Sequence, residues 1–117
     1  MDTRAAADRW ATVWQACWRR HDVTGIVELY RDDALYRSHP YRDAETPVAY
    51  LERTFADELS ADPRFWAPIV DGDRAAVEWE TTTTLADGNG ERLHGVTILR
   101  FDADGLVTEH RDFWNHA

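Results

Sequence analysis

Residues 93–114 read LHGVTILRFDADGLVTEHRDFW, and this stretch decides the fold. It holds two runs of strand-forming residues joined by Asp102-Ala103-Asp104-Gly105, a sequence typical of a tight turn. A further alternating run from Ala75 to Leu85 precedes it, and Asp87-Gly88-Asn89-Gly90 between the two is a strong hairpin signal. The C-terminal half is therefore predicted to form consecutive antiparallel hairpins.

In the N-terminal half, the apolar residues recur at the spacing of a helix instead of at every second position. A helix is predicted from Thr3 to about His21, a short second one carries Ile26 to Tyr30, and a third runs from Pro47 to Leu59. The stripe on the first helix is formed by Trp10, Val13, Trp14, Cys17 and Trp18.

Two strands are predicted outside the C-terminal hairpins, over Ala34 to Ser38 and Phe65 to Val70. Helices that come first and hairpins that follow indicate an α+β fold, in which a curved antiparallel sheet wraps around the N-terminal helices. The length of 117 residues fits one domain that spans residues 1–117.

The composition excludes several classes of partner. A net charge of −9 would repel nucleic-acid phosphates and an anionic membrane surface, so neither partner is expected. Cys17 is the sole cysteine, which rules out an intrachain disulfide. The sequence shows no apolar signal core and no stretch long enough to span a bilayer, so a cytoplasmic location is expected.

Both faces of the C-terminal strands are partly apolar, whereas a sheet covered on one side should show one polar face. Such a mixed face suits a homodimer interface with cross-strand ion pairs, and the alternative is a solvated face with scattered apolar residues. The second face is predicted to hold Val96, Ile98, Val107, Phe113, Glu78, Arg100, Glu109 and Arg111.

Three segments carry a resemblance to a known family. Residues 21–40 read HDVTGIVELYRDDALYRSHP, residues 72–79 read GDRAAVEW and residues 95–115 read GVTILRFDADGLVTEHRDFWN. With the Trp-rich first helix, this resembles the SnoaL-like branch of the nuclear-transport-factor-2-like superfamily over nearly the whole chain. The resemblance implies a cone-shaped α+β barrel with a deep pocket, usually dimeric through the sheet, and it does not imply one activity.

The chain is also similar to ketosteroid isomerases, but it lacks the groups on which that reaction depends. The resemblance puts Ser38 at the position of the base, with His39 just beyond, Trp14 at that of the tyrosine, and Thr97 at that of the sheet aspartate. An indole can donate a hydrogen bond but is no acidic hydroxyl. Steroid isomerisation by that mechanism is therefore not expected.

The resemblance also implies which side chains face the pocket. Thr83, Gly95 and Thr108 are expected to point into the pocket together with the predicted ligand-binding residues. The predicted ligand-binding residues are Trp14, Trp18, Tyr36, Ser38, Arg42, Val77, Trp79, Thr81, Thr97, Leu99 and Trp114.

The predicted catalytic residues are His39, His110 and Asp112. His110 and Asp112 lie two apart on one strand and therefore share a face, where a poorly solvated carboxylate and an imidazole could act as general acid and base. The alternative is that Asp112 only satisfies buried donors. His39 would lie at the pocket mouth and could shuttle a proton, with Arg42 binding an anionic oxygen, or both could belong to a surface loop.

No metal and no cofactor are expected, since the histidines lack metal-ligand spacing and no nucleotide-binding glycine loop occurs. The sequence therefore predicts a protein that binds a small apolar or aromatic molecule. It could perform cofactor-free acid–base catalysis of the isomerase, cyclase, dehydratase or hydrolase type. The alternative is a non-catalytic ligand-binding or structural homodimeric domain.

Overall fold

Helix α1 begins at Thr3, because the side chain of Asp2 accepts the backbone N–H of Ala5 at 2.7 Å and so satisfies a free donor of the first turn. It ends at His21, which is left-handed with φ 52° and whose N–H bonds back to the last turn. The predicted first helix is confirmed.

The computed structural model describes residues 1–117, which form three helices and six strands. None of the helices is both long and apolar enough to cross a membrane. The elements in chain order are α1 (Thr3–Arg20), α2 (Val23–Val27), β1 (Tyr30–Arg37), α3 (Pro47–Ala56), β2 (Glu58–Phe65), β3 (Ile69–Asp71), β4 (Arg74–Leu85), β5 (Gly90–Phe101) and β6 (Val107–His116).

The strands form one strongly curled sheet in the order β1-β6-β5-β4-β2, with β3 beside β4. All neighbouring strands are antiparallel except β1 and β6, which run parallel. The long connection through α3 and four strands allows this parallel pairing. The helices pack on the concave face, where α1 contacts β2, β3 and β4. The predicted α+β fold, a cone-shaped sheet around N-terminal helices, is confirmed.

The first strand starts earlier than predicted. Tyr30, expected on the second helix, opens β1, and Asp32-Asp33 lies within the strand rather than in a turn. The residues from Arg31 to Asp33 are exposed, because β1 is an edge strand, so a polar run is compatible with it. This shift buries Tyr30 beneath the helices.

The third helix is three residues shorter than predicted, and β2 follows it at once. Leu59, expected on the buried face of that helix, is 62% exposed, whereas Glu58 is buried. Pro63 is tolerated in β2 because the strand lies at the other edge of the sheet. The predicted strand over Phe65 to Val70 is replaced by the end of β2, a break and β3.

A bulge in β6 reverses the predicted orientation of two side chains. Arg100 pairs with Glu109 and Phe101 with Val107, so Thr108 has no partner on β5. Val107, predicted on the outer face, is completely buried, and the hydroxyl of Thr108 donates to the Arg100 carbonyl rather than pointing inward. Beyond the bulge the predicted alternation holds, so His110 and Asp112 face the interior.

Gly95 lets β5 approach β6 at the point where Trp114 crosses. A Cβ at this position would lie 2.4 Å from the carbonyl oxygen of Phe113 and 2.7 Å from the Cβ of Trp114. Neither contact can relax by a side-chain rotation alone, since one partner is backbone. Gly95 therefore leaves room for the indole of Trp114 on the inner face.

Candidate active site

A cavity of about 410 Å³ opens between the concave face of the sheet and the helices α1 and α3. Its size suits a small organic molecule rather than a polymer. Aromatic side chains from α1, α3, β1, β4 and β6 form much of the wall, and charged residues such as Arg53, Asp57 and Glu91 lie among the rest.

The structure brings most of the predicted site residues to this cavity. The two predicted catalytic residues of β6 contribute to its wall, as do seven of the predicted ligand-binding residues. The lining residues that were predicted are Trp14, Trp18, Tyr36, Arg42, Trp79, Thr97, His110, Asp112 and Trp114.

Five predicted residues lie outside the cavity wall. Val77 and Leu99 are completely buried in the core, and Thr81 is 2% exposed on the same face. The strands therefore turn these side chains inward as expected, but none of the three reaches the cavity. Ser38 is also buried: its hydroxyl accepts from Arg42 and its carbonyl accepts from the Trp114 indole.

His39 is the fifth residue away from the cavity. β1 ends at Arg37, and the bend that follows packs the half-buried His39 ring edge-on against Trp114, with 5.0 Å between centroids. Trp114, and not His39, contributes the wall at this point.

Asp112 is the centre of a buried hydrogen-bond chain. Its Oδ1 accepts from the Thr97 hydroxyl at 2.6 Å and is paired with His110 Nε2 at 2.8 Å. The Trp79 indole donates in turn to the Thr97 oxygen at 2.9 Å. One carboxylate oxygen is thus held by two donors on neighbouring strands.

The chain continues from His110 to Tyr30, a residue that the sequence did not identify. The Tyr30 hydroxyl oxygen lies 2.8 Å from His110 Nδ1 and accepts from the indoles of Trp10 and Trp14 at 2.9 and 3.0 Å. Burial raises the pKa of Tyr30 well above its ordinary value, so the phenol keeps its proton.

Counting donors assigns the tautomer of His110. An indole can only donate, so Trp10 and Trp14 occupy both lone pairs of the Tyr30 oxygen, and the phenol proton must point to His110 Nδ1. Nδ1 is then an acceptor, and the ring proton is on Nε2, which donates to Asp112. His110 is a neutral imidazole that orients the carboxylate.

Aromatic packing fixes the His110 ring in this orientation. The ring stacks on Tyr36 with centroids 3.8 Å apart and an interplanar angle of 19°, and it is 2% exposed. Tyr50 of α3 stacks on Tyr36 in turn, with centroids 4.4 Å apart, and it also lines the cavity. Neither the His110 ring nor the Tyr36 ring can rotate without disturbing the core.

The second oxygen of Asp112, Oδ2, makes no hydrogen bond within the protein and is not sealed in the core. Asp112 lines the cavity, and its side chain retains 8% of its exposure. An unpaired carboxylate oxygen therefore meets the space in which a ligand would lie. Such an oxygen can accept a proton or a hydrogen bond from that ligand.

A second buried carboxyl group lies on the same cavity. Glu58 is 8% exposed, and its Oε1 accepts from the Trp18 indole and pairs with His21 Nε2, each at 2.9 Å. Burial raises the pKa of Glu58, while the hydrogen bonds from His21 and Trp18 oppose the shift. The pKa of Tyr50 is raised mainly by burial, and the negative charges of Asp112 and Glu58 raise it further.

No sequence signal identified Glu58 or Tyr30. The sequence predicts Glu58 in the last turn of a helix that buries Leu59. Regular alternation along β2 would also turn the apolar Leu59 inward, whereas the structure buries Glu58. Tyr30 fitted the apolar period of the second helix. Both positions depend on where an element ends, which local sequence defines poorly.

No three His, Cys, Asp or Glu side chains converge closely enough to hold a metal ion. Two further histidines, His94 and His116, pair with Glu78 at 2.7 Å and with Glu91 at 3.7 Å.

Solved structures resemble this fold at low sequence identity. SalBIII, an epoxide hydrolase/cyclase-like enzyme of pyran ring formation in the polyether salinomycin, matches with a TM-score of 0.83 and 16% identity, over 97% of this chain and 93% of that one. An LEH-like epoxide hydrolase from M. tuberculosis matches with a TM-score of 0.79 and 14% identity, over 97% of this chain and 86% of that one.

An NTF2-like protein of unknown function from Exiguobacterium sp. 255-15 matches with a TM-score of 0.77 and 15% identity, over 94% of this chain and 98% of that one. A comparison with curated proteins finds no match. At these identities the structural likeness shows the fold alone.

The family is shown by the sequence itself. The model of the SnoaL-like domain matches residues 8–110, which is most of the chain and runs from within α1 to His110 in β6. The earlier resemblance is thereby confirmed. The chain belongs to the SnoaL-like domain family, and its fold is that of the nuclear-transport-factor-2-like structures it resembles.

Proposed function

We propose that this SnoaL-like protein binds a small, flat, apolar or aromatic molecule and removes a proton from it without a cofactor, with Asp112 as the general base. The observation that carries the proposal is the unequal use of the two carboxylate oxygens. Oδ1 is fixed by Thr97 and His110, whereas Oδ2 has no protein partner and meets an aromatic cavity.

The surroundings of Asp112 support a catalytic role for it. The indoles of Trp14, Trp18 and Trp79 offer flat apolar surface that would displace water from around the carboxylate when a ligand binds. A base that is held in place and poorly solvated reacts with less reorganisation than a free carboxylate in water. His110 acts here as a positioning residue, because its Nε2–H holds Oδ1 and its other nitrogen is occupied by Tyr30.

The fold neighbours fit this reaction class without defining it. Two of them are described as epoxide hydrolase-like, one of these also as cyclase-like, and both descriptions imply chemistry on small molecules. The second candidate function is a non-catalytic ligand-binding domain. It is favoured by the same hydrogen-bond chain, since Asp112 would also serve merely to satisfy the buried donors of Thr97 and His110.

Turnover of nitrobenzisoxazole separates the two functions. This aromatic carbon acid loses its ring C–H proton to a base, its N–O bond breaks, and a coloured cyanonitrophenolate is released. We expect saturable turnover that the inert analogue nitrobenzimidazole inhibits competitively. A rate that stays proportional to probe concentration and is insensitive to the analogue would come from surface carboxylates, and would contradict the proposal.

Dimerisation through the outer face of the sheet stays a prediction. Val96 and Ile98 are half-buried on that face, while Phe113 is 41% and Ile69 is 74% exposed in the single chain. These apolar groups alternate with charged side chains such as Arg100, which suits an interface with a polar rim. The sedimentation coefficient of the purified protein tests the prediction, and a monomer would contradict it.

A further inference from the structure

Glu58 repeats, elsewhere on the cavity wall, the arrangement seen at Asp112. One oxygen of each carboxyl group is held by a histidine Nε2 and a second donor, and the other oxygen makes no hydrogen bond. Both residues line the same cavity and both are more than nine-tenths buried. The two groups are connected through indoles, since Trp18 donates to Glu58, Trp79 donates to Thr97 beside Asp112, and the two rings are 5.9 Å apart.

The hydrogen bonds define where a proton on Glu58 would be. Oε1 faces the Trp18 N–H, which can only donate, and His21 Nε2. When His21 Nε2 donates as well, both contacts of Oε1 are donors, and a proton on the carboxyl group is carried by Oε2, the oxygen without a protein partner. Burial, which is the largest influence on this group, raises its pKa and favours the protonated form.

Packing at His21 holds this pairing in place. His21 ends α1 in the left-handed conformation, with φ 52°. Its ring stacks on Phe55 with centroids 4.8 Å apart, and its Nε2 reaches Glu58. The stacking and the hydrogen bond together orient the ring toward the carboxyl group.

We propose that Glu58 is a second catalytic group, which gives its Oε2 proton to an oxygen of the substrate while Asp112 Oδ2 takes a proton from it. The inference rests on the proposed function of Asp112. It defines the substrate class as a flat, apolar molecule in which a bond to oxygen breaks near an acidic C–H, such as a hydroxylated ring that loses water.

The step balances without a co-reactant. Asp112 Oδ2 takes the proton of the C–H bond, whose electron pair forms a new π bond, and the bond to the departing oxygen breaks with its electron pair remaining on that oxygen. The proton of Glu58 Oε2 moves to the same oxygen. Asp112 then loses its proton to water at the cavity mouth and Glu58 regains one there, so the protein is unchanged.

The basicity of the departing oxygen provides the test. Benzisoxazole releases a more basic phenolate than nitrobenzisoxazole and so depends more on a proton donor. Glu58→Gln keeps an oxygen for Trp18 and His21 and an N–H₂ toward the cavity, but it has no proton to give. We expect kcat for benzisoxazole to fall roughly a hundredfold with KM preserved, a smaller loss for nitrobenzisoxazole, and no change in the exposed control Glu52→Gln.

The pH profile gives a second readout that a purely structural Glu58 would not move. Activity should fall at high pH as Glu58 loses its proton, and this limb should vanish in Glu58→Gln. His21→Asn removes a hydrogen bond that lowers the pKa of Glu58, so the limb should move to higher pH. Asparagine is chosen because it tolerates the left-handed backbone.

The outcomes separate this inference from the function on which it rests. If Asp112→Asn abolishes turnover while Glu58→Gln leaves the rates and the high-pH limb unchanged, Asp112 remains the base and the role of Glu58 is rejected. If Asp112→Asn is as active as the wild type, both fail. Equal losses for the two probes in Glu58→Gln would also overturn the inference, since they would reflect general damage to the site.

Discussion

Replacing Asp112 by asparagine is expected to lower kcat for nitrobenzisoxazole by about 10²- to 10⁴-fold, the range that a positioned general base contributes. The amide oxygen can still accept from Thr97 and His110 in the place of Oδ1. The amide nitrogen then takes the place of Oδ2, where no basic atom is left. We therefore expect KM to change little, because the walls of the cavity are retained.

The matched control is Asp104→Asn, which alters an exposed carboxylate in the turn before β6 and should leave kcat unchanged. Thermal unfolding of both variants checks that the fold is retained. An Asp112→Asn protein that is folded and turns over the probe as fast as the control would show that another group is the base. The non-catalytic ligand-binding domain would then be the better account of the cavity.

Replacing Tyr30 by phenylalanine is expected to lower the free energy of unfolding by about 3 kcal/mol, since each buried donor left without a partner costs roughly 1–3 kcal/mol. The substitution removes one oxygen and leaves the volume of the ring in place, so no sizeable cavity forms. The indole N–H groups of Trp10 and Trp14 lose their acceptor, and His110 Nδ1 loses its donor.

Urea denaturation measures this loss, and Tyr41→Phe is its control, because Tyr41 is 95% exposed and its hydroxyl can bond to water. Equal stability of the two variants would contradict the donor count from which the tautomer of His110 is derived. Nitrogen NMR of His110 in the wild-type protein addresses the same point. It should show a neutral ring with its proton on Nε2.

The sheet could be predicted largely from the sequence, because its signals are local and strong. Three turns with glycine at positive φ (Gly72, Gly88 and Gly105) define the hairpins, and strict alternation in β4 and β5 defines the inner face. The placement of His110 and Asp112 on that face followed from the same alternation. The resemblance to the family then supplied the closure of the sheet over the helices.

Element ends were harder to predict, and the missed site residues lie there. Glu58 opens β2 after a gap of one residue from α3, and Tyr30 opens β1 after a gap of two residues from α2, so the sequence predicts each of them on the preceding helix. The inward turn of Val107 depends on a bulge at Thr108, which no local pattern indicates. These positions are determined by long-range pairing between strands, and the sequence contains that information only indirectly.

His39 shows a different limit of sequence reasoning. Its position after the first strand suggested the pocket mouth, and the strand does end beside the cavity. The orientation of its ring is determined by Trp114, whose indole donates to the Ser38 carbonyl at 2.7 Å and occupies the wall itself. Contacts between residues 76 positions apart in the chain cannot be deduced from spacing.

A crystal structure of the protein with nitrobenzimidazole bound tests the central claim most directly. If Asp112 presents a free, basic oxygen to an aromatic cavity, the ligand should lie among the indoles with its ring N–H hydrogen-bonded to Oδ2, while Thr97 and His110 keep hold of Oδ1. A ligand seated outside the cavity, or an Oδ2 turned away to a partner within the protein, would contradict the assignment of Asp112 as the base.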